Sequence, residues 1–205
     1  MKKLLTGLCV GGALLASLNT ASATPSICDA VVGNLIHNCG FETGELTDWS
    51  ESGTGAGGAL TVPFSSNSGG WSVNLLSEGH SSWEIDQNFS TVAGTEYAGS
   101  FYIETYLTNV GGVFDALLNG KIVFEQNGYS NQFLNWTKET FTFTAAAGTS
   151  NIEFLLAEDG GQYSSWFIDD VVVTPNQVPE PASLLLLSGG LLASGFFGRR
   201  KRKNS

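Results

Sequence analysis

Alternation of apolar and polar residues over short runs is the feature that most limits what this chain folds into. From Trp83 to Phe89, the apolar residues Trp83, Ile85 and Phe89 fall on one face of an extended strand, and charged or amide residues fall on the other. A period of two residues indicates a half-buried β-strand, because successive side chains of a strand point to opposite faces. Thr140 to Thr144 alternates in the same way.

Further runs of strand character follow, separated by clusters of Gly, Asn and Ser. Between two of them lies Asn119-Gly120, a hairpin signal because both residues tolerate positive φ. About 140 residues lie between Asn34 and Thr174, enough for one well-buried core. Many short strands without a helical period or a repeat predict an all-β fold, a single antiparallel β-sandwich. The further runs are Tyr97 to Leu107, Val113 to Leu118, Lys121 to Glu125, Asn151 to Leu156 and Trp166 to Thr174.

Residues 1–23 have the organisation of a secretory signal peptide. Lys2 and Lys3 precede an apolar stretch from Leu4 to Leu18, and Ala21-Ser22-Ala23 supplies the small residues of a cleavage site. A transmembrane anchor is the alternative, although the apolar stretch is short and contains Gly and Ser. The sequence therefore predicts export.

Export would leave Cys28 and Cys39 as the two cysteines of the mature chain. An even pair in an oxidising compartment predicts a disulfide. It would close a loop of about 12 residues and stabilise the fold by about 3 kcal/mol. Two buried free thiols are the alternative.

Charge is distributed unevenly along the chain. Between the signal peptide and the C-terminal tail lie two basic residues, Lys121 and Lys138, and 18 of the 19 acidic residues, a formal charge of −16. Such a surface repels phosphate backbones, which excludes ordinary nucleic-acid binding. Neutral sugars, divalent cations and basic partners remain compatible with it.

The C-terminal tail, residues 176–205, combines Pro179-Glu180-Pro181, an apolar run and a basic cluster that begins with Arg199 and Arg200. The apolar run from Ala182 to Phe197 would form a helix roughly 24 Å long, a marginal membrane anchor with its basic end in the cytoplasm. The order of these parts resembles the PEP-CTERM sorting signal of Gram-negative bacteria.

That resemblance implies processing near Pro179-Glu180-Pro181 by an exosortase, a membrane-embedded cysteine peptidase, in a host that makes extracellular polysaccharide. The protein is then expected in the inner membrane, facing the periplasm, before processing, and on the outer surface or in the extracellular matrix afterwards. A permanent tail anchor is the alternative.

Three segments of the middle resemble β-jelly-roll carbohydrate-binding modules. Asn34 to Glu42, followed by Trp49, is similar to their opening, Gly94 to Phe101 to a middle strand, and Trp166 to Val173 to the closing strand. The resemblance implies a jelly-roll domain over residues 34–175. Cys39 stands where that family commonly has Gly.

The same resemblance implies a structural calcium ion that joins the first and last strands, with Glu42 and Asp169 as ligands. Two carboxylates brought together by strand pairing would also repel each other unless a hard cation bridged them. A main-chain carbonyl near Gly40, with Glu78 or Asp170, would complete the shell. Solvated carboxylates at a sheet edge, without metal, are the alternative.

Sugar sites in such folds use aromatic side chains that stack on pyranose rings. Trp49 and Trp166 occupy positions that are core in the family, and Trp83 shares the apolar face of its strand. The remaining candidates lie in or beside Gly-, Asn- and Ser-rich segments, where packing in the fold is the alternative for each. These candidates are Trp71, Trp136, Tyr106, Tyr129 and Tyr163.

Catalysis is not expected, because His37 and His80 have no nucleophile motif near them. Two classes of function remain: binding of extracellular polysaccharide, and a structural or adhesive matrix role without a sugar site. The predicted organisation is a signal peptide at 1–23, a lead segment at 24–33, the jelly-roll domain at 34–175, and a sorting signal at 176–205 with a transmembrane helix at about 182–198.

Overall fold

The computed structural model describes residues 25–107, 112–127, 135–160 and 163–176, without the side chains of residues 106 and 107. A single 3-10 turn, Ile27–Ala30, precedes eight strands, and every pair of neighbouring strands is antiparallel, which confirms the predicted all-β class. The strands are β1 Ser50–Val62, β2 Ser72–Ser90, β3 Glu96–Leu107, β4 Val113–Leu118, β5 Lys121–Asn127, β6 Thr137–Thr144, β7 Thr149–Glu158 and β8 Tyr163–Pro175.

The strands form two layers because β2 passes from one layer to the other. Residues Val73 to Glu78 of β2 pair with β8, whereas Ser81 to Ser90 pair with β7. Strand β1 follows β2 on its other side, with an irregularity at Gly55 (φ +84°) opposite the change at Gly79 (φ +69°). The first layer has the order β6-β3-β8-β2-β1, and the second has the order β5-β4-β7-β2-β1.

Aromatic rings fill the space between the layers. Phe101 of β3 contacts Phe154 of β7, and Phe114 of β4 stacks on Trp166 of β8, each with ring centroids 5.0 Å apart. All four side chains are buried. Since each pair joins strands of different layers, these rings hold the sandwich together, and each buried ring contributes about 2–3 kcal/mol.

The segment before β1 lies beside the second half of β8. The N–H of Leu35 donates to the carbonyl of Val173, and the N–H of Val171 donates to the carbonyl of Cys39, both at 2.9 Å. Asn34 holds the segment by accepting from the N–H of Val173 and donating to the carbonyl of Val171. The beginning and the end of the domain therefore meet, as the predicted pairing of the termini requires.

Strand β1 is missing from the sequence prediction. Its 13 residues include four glycines, which remove the alternation that marks a strand. The structure explains why two of these positions are glycine. A Cβ at Gly53 or Gly57 would lie 2.5 or 2.7 Å from the indole of Trp83, so the ring covers the β1 backbone only because side chains are absent there.

The predicted signal peptide, the sorting signal and its helix at about 182–198 lie outside the described residues. Within the described ranges, no helix is long and apolar enough to cross a membrane.

Candidate functional sites

A pair of consecutive carboxylates, Asp169 and Asp170, is buried in the middle of β8. The carboxylate of Asp169 accepts from the backbone N–H of Asn67 at 2.8 Å, of Ser68 at 3.2 Å and of Asp170 at 2.7 Å. The carboxylate of Asp170 accepts from the side chains of Ser26 at 2.5 Å, Asn67 at 2.7 Å and Ser68 at 2.8 Å. All of these donors are neutral.

The electrostatics of this pair disfavour two negative charges. Burial, and then the charge of Asp170, raise the pKa of Asp169 to about 8, against the three backbone N–H donors, which lower it. The lysines of the described ranges, Lys121 and Lys138, lie on β5 and β6 and are not among the donors. Buried carboxylates are neutralised either by a proton or by a partner of opposite charge, and an oxygen-rich set of this kind fits Ca²⁺.

Glu42 lies on the other side of the same loop. Its carboxylate accepts from the backbone N–H of Gly70 at 3.0 Å and of Trp71 at 3.1 Å. The loop that precedes β2 is therefore held by Glu42 at one end and by the Asp169–Asp170 pair at the other. The two predicted calcium ligands therefore contact neighbouring parts of one loop, but the carboxylate oxygens of Glu42, Asp169 and Asp170 do not all lie within 4.8 Å of one another.

Two other expected contributors to the calcium shell are placed differently. A Cβ at Gly40 would lie 3.5 Å from Oδ1 of Asp169, so the backbone of Gly40 is beside the carboxylate pair. Glu78 is exposed and pairs with Tyr163, five positions along β2 from the Val73–Ile168 pair, which is roughly 17 Å. The expectation for Glu78 is therefore wrong, because it lies at the far end of β2.

Cys28 and Cys39 form the predicted disulfide, with a Cα–Cα distance of 6.1 Å, and both are buried. Asp29 lies close to the two sulfur atoms. The sulfurs are bonded to each other and cannot become thiolates, so this group does not form a metal site.

An apolar groove of about 340 Å³ lies on the outer face of the first layer. Three of the side chains that line it are well exposed: Phe64 is 70%, Leu60 56% and Tyr163 42% exposed. Its buried polar groups are Asn74 and Ser165, whose side chains hydrogen bond to each other at 2.9 Å. The lining residues are Leu60, Val62, Phe64, Asn74, Leu76, Tyr163, Ser165 and Phe167.

Of the aromatic residues predicted to meet a sugar, Tyr163 lines this groove. The ring of Trp71 packs against Gly44, since a Cβ there would lie 3.2 Å from it. Trp136 is half-buried immediately before β6, outside the groove lining. Tyr106 lies in β3, but its side chain is not described, and Tyr129 lies outside the described residues.

Leu60 and Phe64 are site residues that sequence reasoning missed. Both depend on β1, Leu60 as a member and Phe64 as a residue of the following loop. A signal was present in the apolar residues Leu60, Val62 and Phe64, which alternate, but the glycines before them hid it.

The outer face of the second layer is acidic. Burial raises the pKa of Glu153, and the carboxylates of Glu84, Asp86 and Asp115 raise it further. Burial and then the charge of Glu125 raise the pKa of Asp115. Strand register explains the cluster, because Glu153 lies opposite Asp86 and Asp115 lies opposite Glu125. This face is unsuited to anionic ligands.

Comparison with solved structures identifies proteins of similar fold. The structure of TmCBM61 in complex with β-1,4-galactotriose is 23% identical, with a TM-score of 0.55, and the match covers 70% of this chain and 99% of that chain. A structure of carbohydrate-binding modules from the β-sandwich superfamily is 14% identical, with a TM-score of 0.51, covering 69% of this chain and 63% of that chain. The enzymatically active domain of bacteriophage CBA120 tailspike protein 4 is 16% identical, with a TM-score of 0.51, and the match covers 69% of this chain and 21% of that chain.

The described domain thus has the β-sandwich fold of carbohydrate-binding modules. The PEP-CTERM protein-sorting motif matches residues 177–203, which confirms the resemblance of the tail and marks the chain as an exported protein. No curated protein matches the sequence.

Proposed function

We propose that this exported protein binds a neutral extracellular polysaccharide, without catalysis, in the groove beside Tyr163. The observation that carries the proposal is the composition of the groove, in which exposed aromatic and aliphatic side chains surround a few polar groups. Ligand sites in proteins are typically apolar clefts with a small number of placed polar groups.

The chemistry of the groove suits a sugar ring. The rings of Tyr163 and Phe64 offer apolar faces on which the C–H side of a pyranose can stack. The side-chain amide of Asn74 and the hydroxyl of Ser165 hydrogen bond to each other. A sugar hydroxyl can replace either partner in these hydrogen bonds. Beyond the groove lining, Glu104 lies opposite Phe167 in the sheet, and its carboxylate accepts from Ser65 at 2.6 Å.

Charge selects neutral saccharides over acidic ones. The middle of the chain carries two basic and 18 acidic residues, and the second layer presents an acidic outer face. Uronic-acid polymers would be repelled unless a cation bridged them. The fold supports this ligand class, since a module of the same fold holds β-1,4-galactotriose, a neutral oligosaccharide.

The protein reaches the surface through its C-terminal sorting signal. The PEP-CTERM motif at 177–203 supports processing by an exosortase near Pro179-Glu180-Pro181. Before processing, the tail anchors the protein in the inner membrane with the sandwich in the periplasm. After processing, the sandwich reaches the outer surface or the matrix, where it meets the polysaccharide.

Calcium is the proposed structural cofactor. Asp169 and Asp170 would hold it with the main chain near Gly40, Glu42 would have to move toward it from the other end of the loop, and its charge would offset the repulsion of the buried carboxylates. The ion would also stabilise the loop before β2, which contains the groove residue Phe64.

A glycan array tests the function. The mature protein, beginning at Thr24, is applied with about 10 mM calcium chloride, above the Kd of roughly 10⁻⁴–10⁻³ M of extracellular calcium modules, and neutral glycans are expected to retain it. A folded protein that no glycan retains would contradict the proposal and favour a structural or adhesive matrix role.

A further inference from the structure

The described part of the lead segment, residues 25–33, covers the buried carboxylate pair. The hydroxyl of Ser26 donates to Oδ1 of Asp170 at 2.5 Å, and the N–H of Cys28 points to the same oxygen at 3.4 Å. The N–H of Ile27 donates to the hydroxyl of Ser68, which itself donates to Asp170. The lead segment therefore forms one wall of the proposed cation site, although it precedes the sandwich.

Apart from these hydrogen bonds and the disulfide, few apolar contacts hold this wall in place. Its apolar side chains are mostly exposed: Ile27 is 49%, Val31 37% and Val32 97% exposed. The buried apolar side chain of the segment is Cys28 itself. Because a segment with so little apolar burial gains little from packing, a covalent link has a large effect on its position.

The disulfide joins the two sides of the carboxylate pair. Cys28 lies next to Ser26 and Asp170, while the carbonyl of Cys39 accepts from the N–H of Val171 at 2.9 Å. A Cβ at Gly40 would lie 2.4 Å from Ser26, so the lead segment packs directly on the backbone that follows Cys39. The cross-link thus fixes the distance between Ser26 and the closing strand.

We infer that the Cys28–Cys39 disulfide assembles the divalent-cation site, with Ser26 as a positioning residue that orients the carboxylate of Asp170. This inference rests on the calcium site in the proposed function. The oxidised chain binds the cation tightly, and the reduced chain binds it weakly. The site therefore forms only after the protein has reached an oxidising compartment.

The test is a calcium chloride titration of the mature protein by isothermal calorimetry, oxidised, reduced, and as Cys28→Ser/Cys39→Ser. We expect Kd for Ca²⁺ to rise by about tenfold or more when the disulfide is absent. Ser26→Ala keeps the disulfide and is expected to raise Kd by about tenfold, because Asp170 loses a charge-assisted hydrogen bond. Ser90→Ala, an exposed serine at the end of β2, is the control and leaves Kd unchanged.

Each outcome has one meaning. Equal Kd in the oxidised protein, the reduced protein and Ser26→Ala overturns the inference and leaves the calcium site intact. Absence of calcium binding to the oxidised protein overturns the calcium site and the inference together, while glycan binding is measured separately. If the reduced and double-serine proteins are unfolded by circular dichroism, Ser26→Ala decides, since it retains the cross-link.

Discussion

Asp169 and Asp170 are consecutive in β8, yet both carboxylates are buried on the same loop and are bound by the same two residues, Asn67 and Ser68. Neighbouring side chains of a regular strand would point to opposite faces. The positive φ of Asp170, +52°, breaks that alternation and turns both side chains toward the loop. The result is a buried pair of carboxyl groups in which burial, and then the charge of Asp170, disfavour ionisation of Asp169 and raise its pKa.

The first prediction concerns pH in the absence of metal. The pKa of Asp169 is about 8 in the folded protein, above the usual value near 3.9 in an unfolded chain. Between these values the folded state holds a proton that the unfolded state releases, so the contribution of Asp169 to stability is fully present below about pH 4 and is lost as pH rises through about 8. With chelator present, we expect the melting temperature to fall by about 5 °C or more between pH 5 and pH 8.

Calcium should cancel this dependence, because a ligand that binds only the folded state stabilises it by mass action. Melting curves at several pH values, with calcium or with chelator, provide the measurement. Asp169→Asn is the control, and it should lose both the pH dependence and the calcium effect. Coincident curves with calcium and with chelator for the unmodified protein would refute the prediction.

The second prediction concerns the disulfide. Cys28→Ser/Cys39→Ser should lower the free energy of unfolding by about 2–4 kcal/mol, because the cross-link no longer restricts the unfolded chain. Urea denaturation in calcium-free buffer measures this separately from any effect on metal binding. A loss below about 0.5 kcal/mol would show that the cross-link contributes little.

The third prediction concerns the groove. Leu60→Ala should weaken glycan binding by about tenfold, while the matched change Ile122→Ala should leave it unchanged. The two side chains are similarly exposed, 56% and 54%, but Ile122 lies on β5 in the other layer. Tyr163→Ala should act like Leu60→Ala, and Tyr102→Ala, outside the groove lining, serves as its control. Affinity electrophoresis on a retained glycan distinguishes them, and loss of binding in Ile122→Ala alone would place the site on the second layer.

The fourth prediction separates the core from the binding surface. Phe154→Ala removes a ring that contacts Phe101 and Phe114, and should lower the free energy of unfolding by about 3–5 kcal/mol. Phe64→Ala removes a ring that is 70% exposed, and should change stability by less than about 1 kcal/mol while weakening glycan binding. Chemical denaturation measures both variants, and similar losses in the two would contradict the assignment.

The fifth prediction concerns the tail. In a host with an active exosortase, the extracellular protein should lack the basic cluster that begins at Arg199. Mass spectrometry of the intact secreted protein measures its C-terminus, and a host without exosortase supplies the control. Extracellular protein that retains residues 199–205 would contradict processing.

Local pattern predicted much of the fold. The alternation around Ile85 predicted part of β2, and the Asn119-Gly120 hairpin lies between β4 and β5 as expected. The pattern failed for β1, because its pairing with β2 comes from backbone hydrogen bonds that glycines make as readily as other residues. It also could not select Tyr163 from the aromatic candidates, since exposure in a groove depends on which strands surround the residue.

The sequence by itself determined the all-β class, the acidic character of the domain, the candidate disulfide and the sorting motif, because each depends on composition or on the order of nearby residues. Only the tertiary structure decided which residues meet at the two sites. Ser26 and Asp170 are 144 positions apart, and Asn74 and Ser165 are 91 apart. Such contacts follow from the pairing of β2 with β8 and from the cross-linked lead segment, and no periodic pattern in the sequence predicts them.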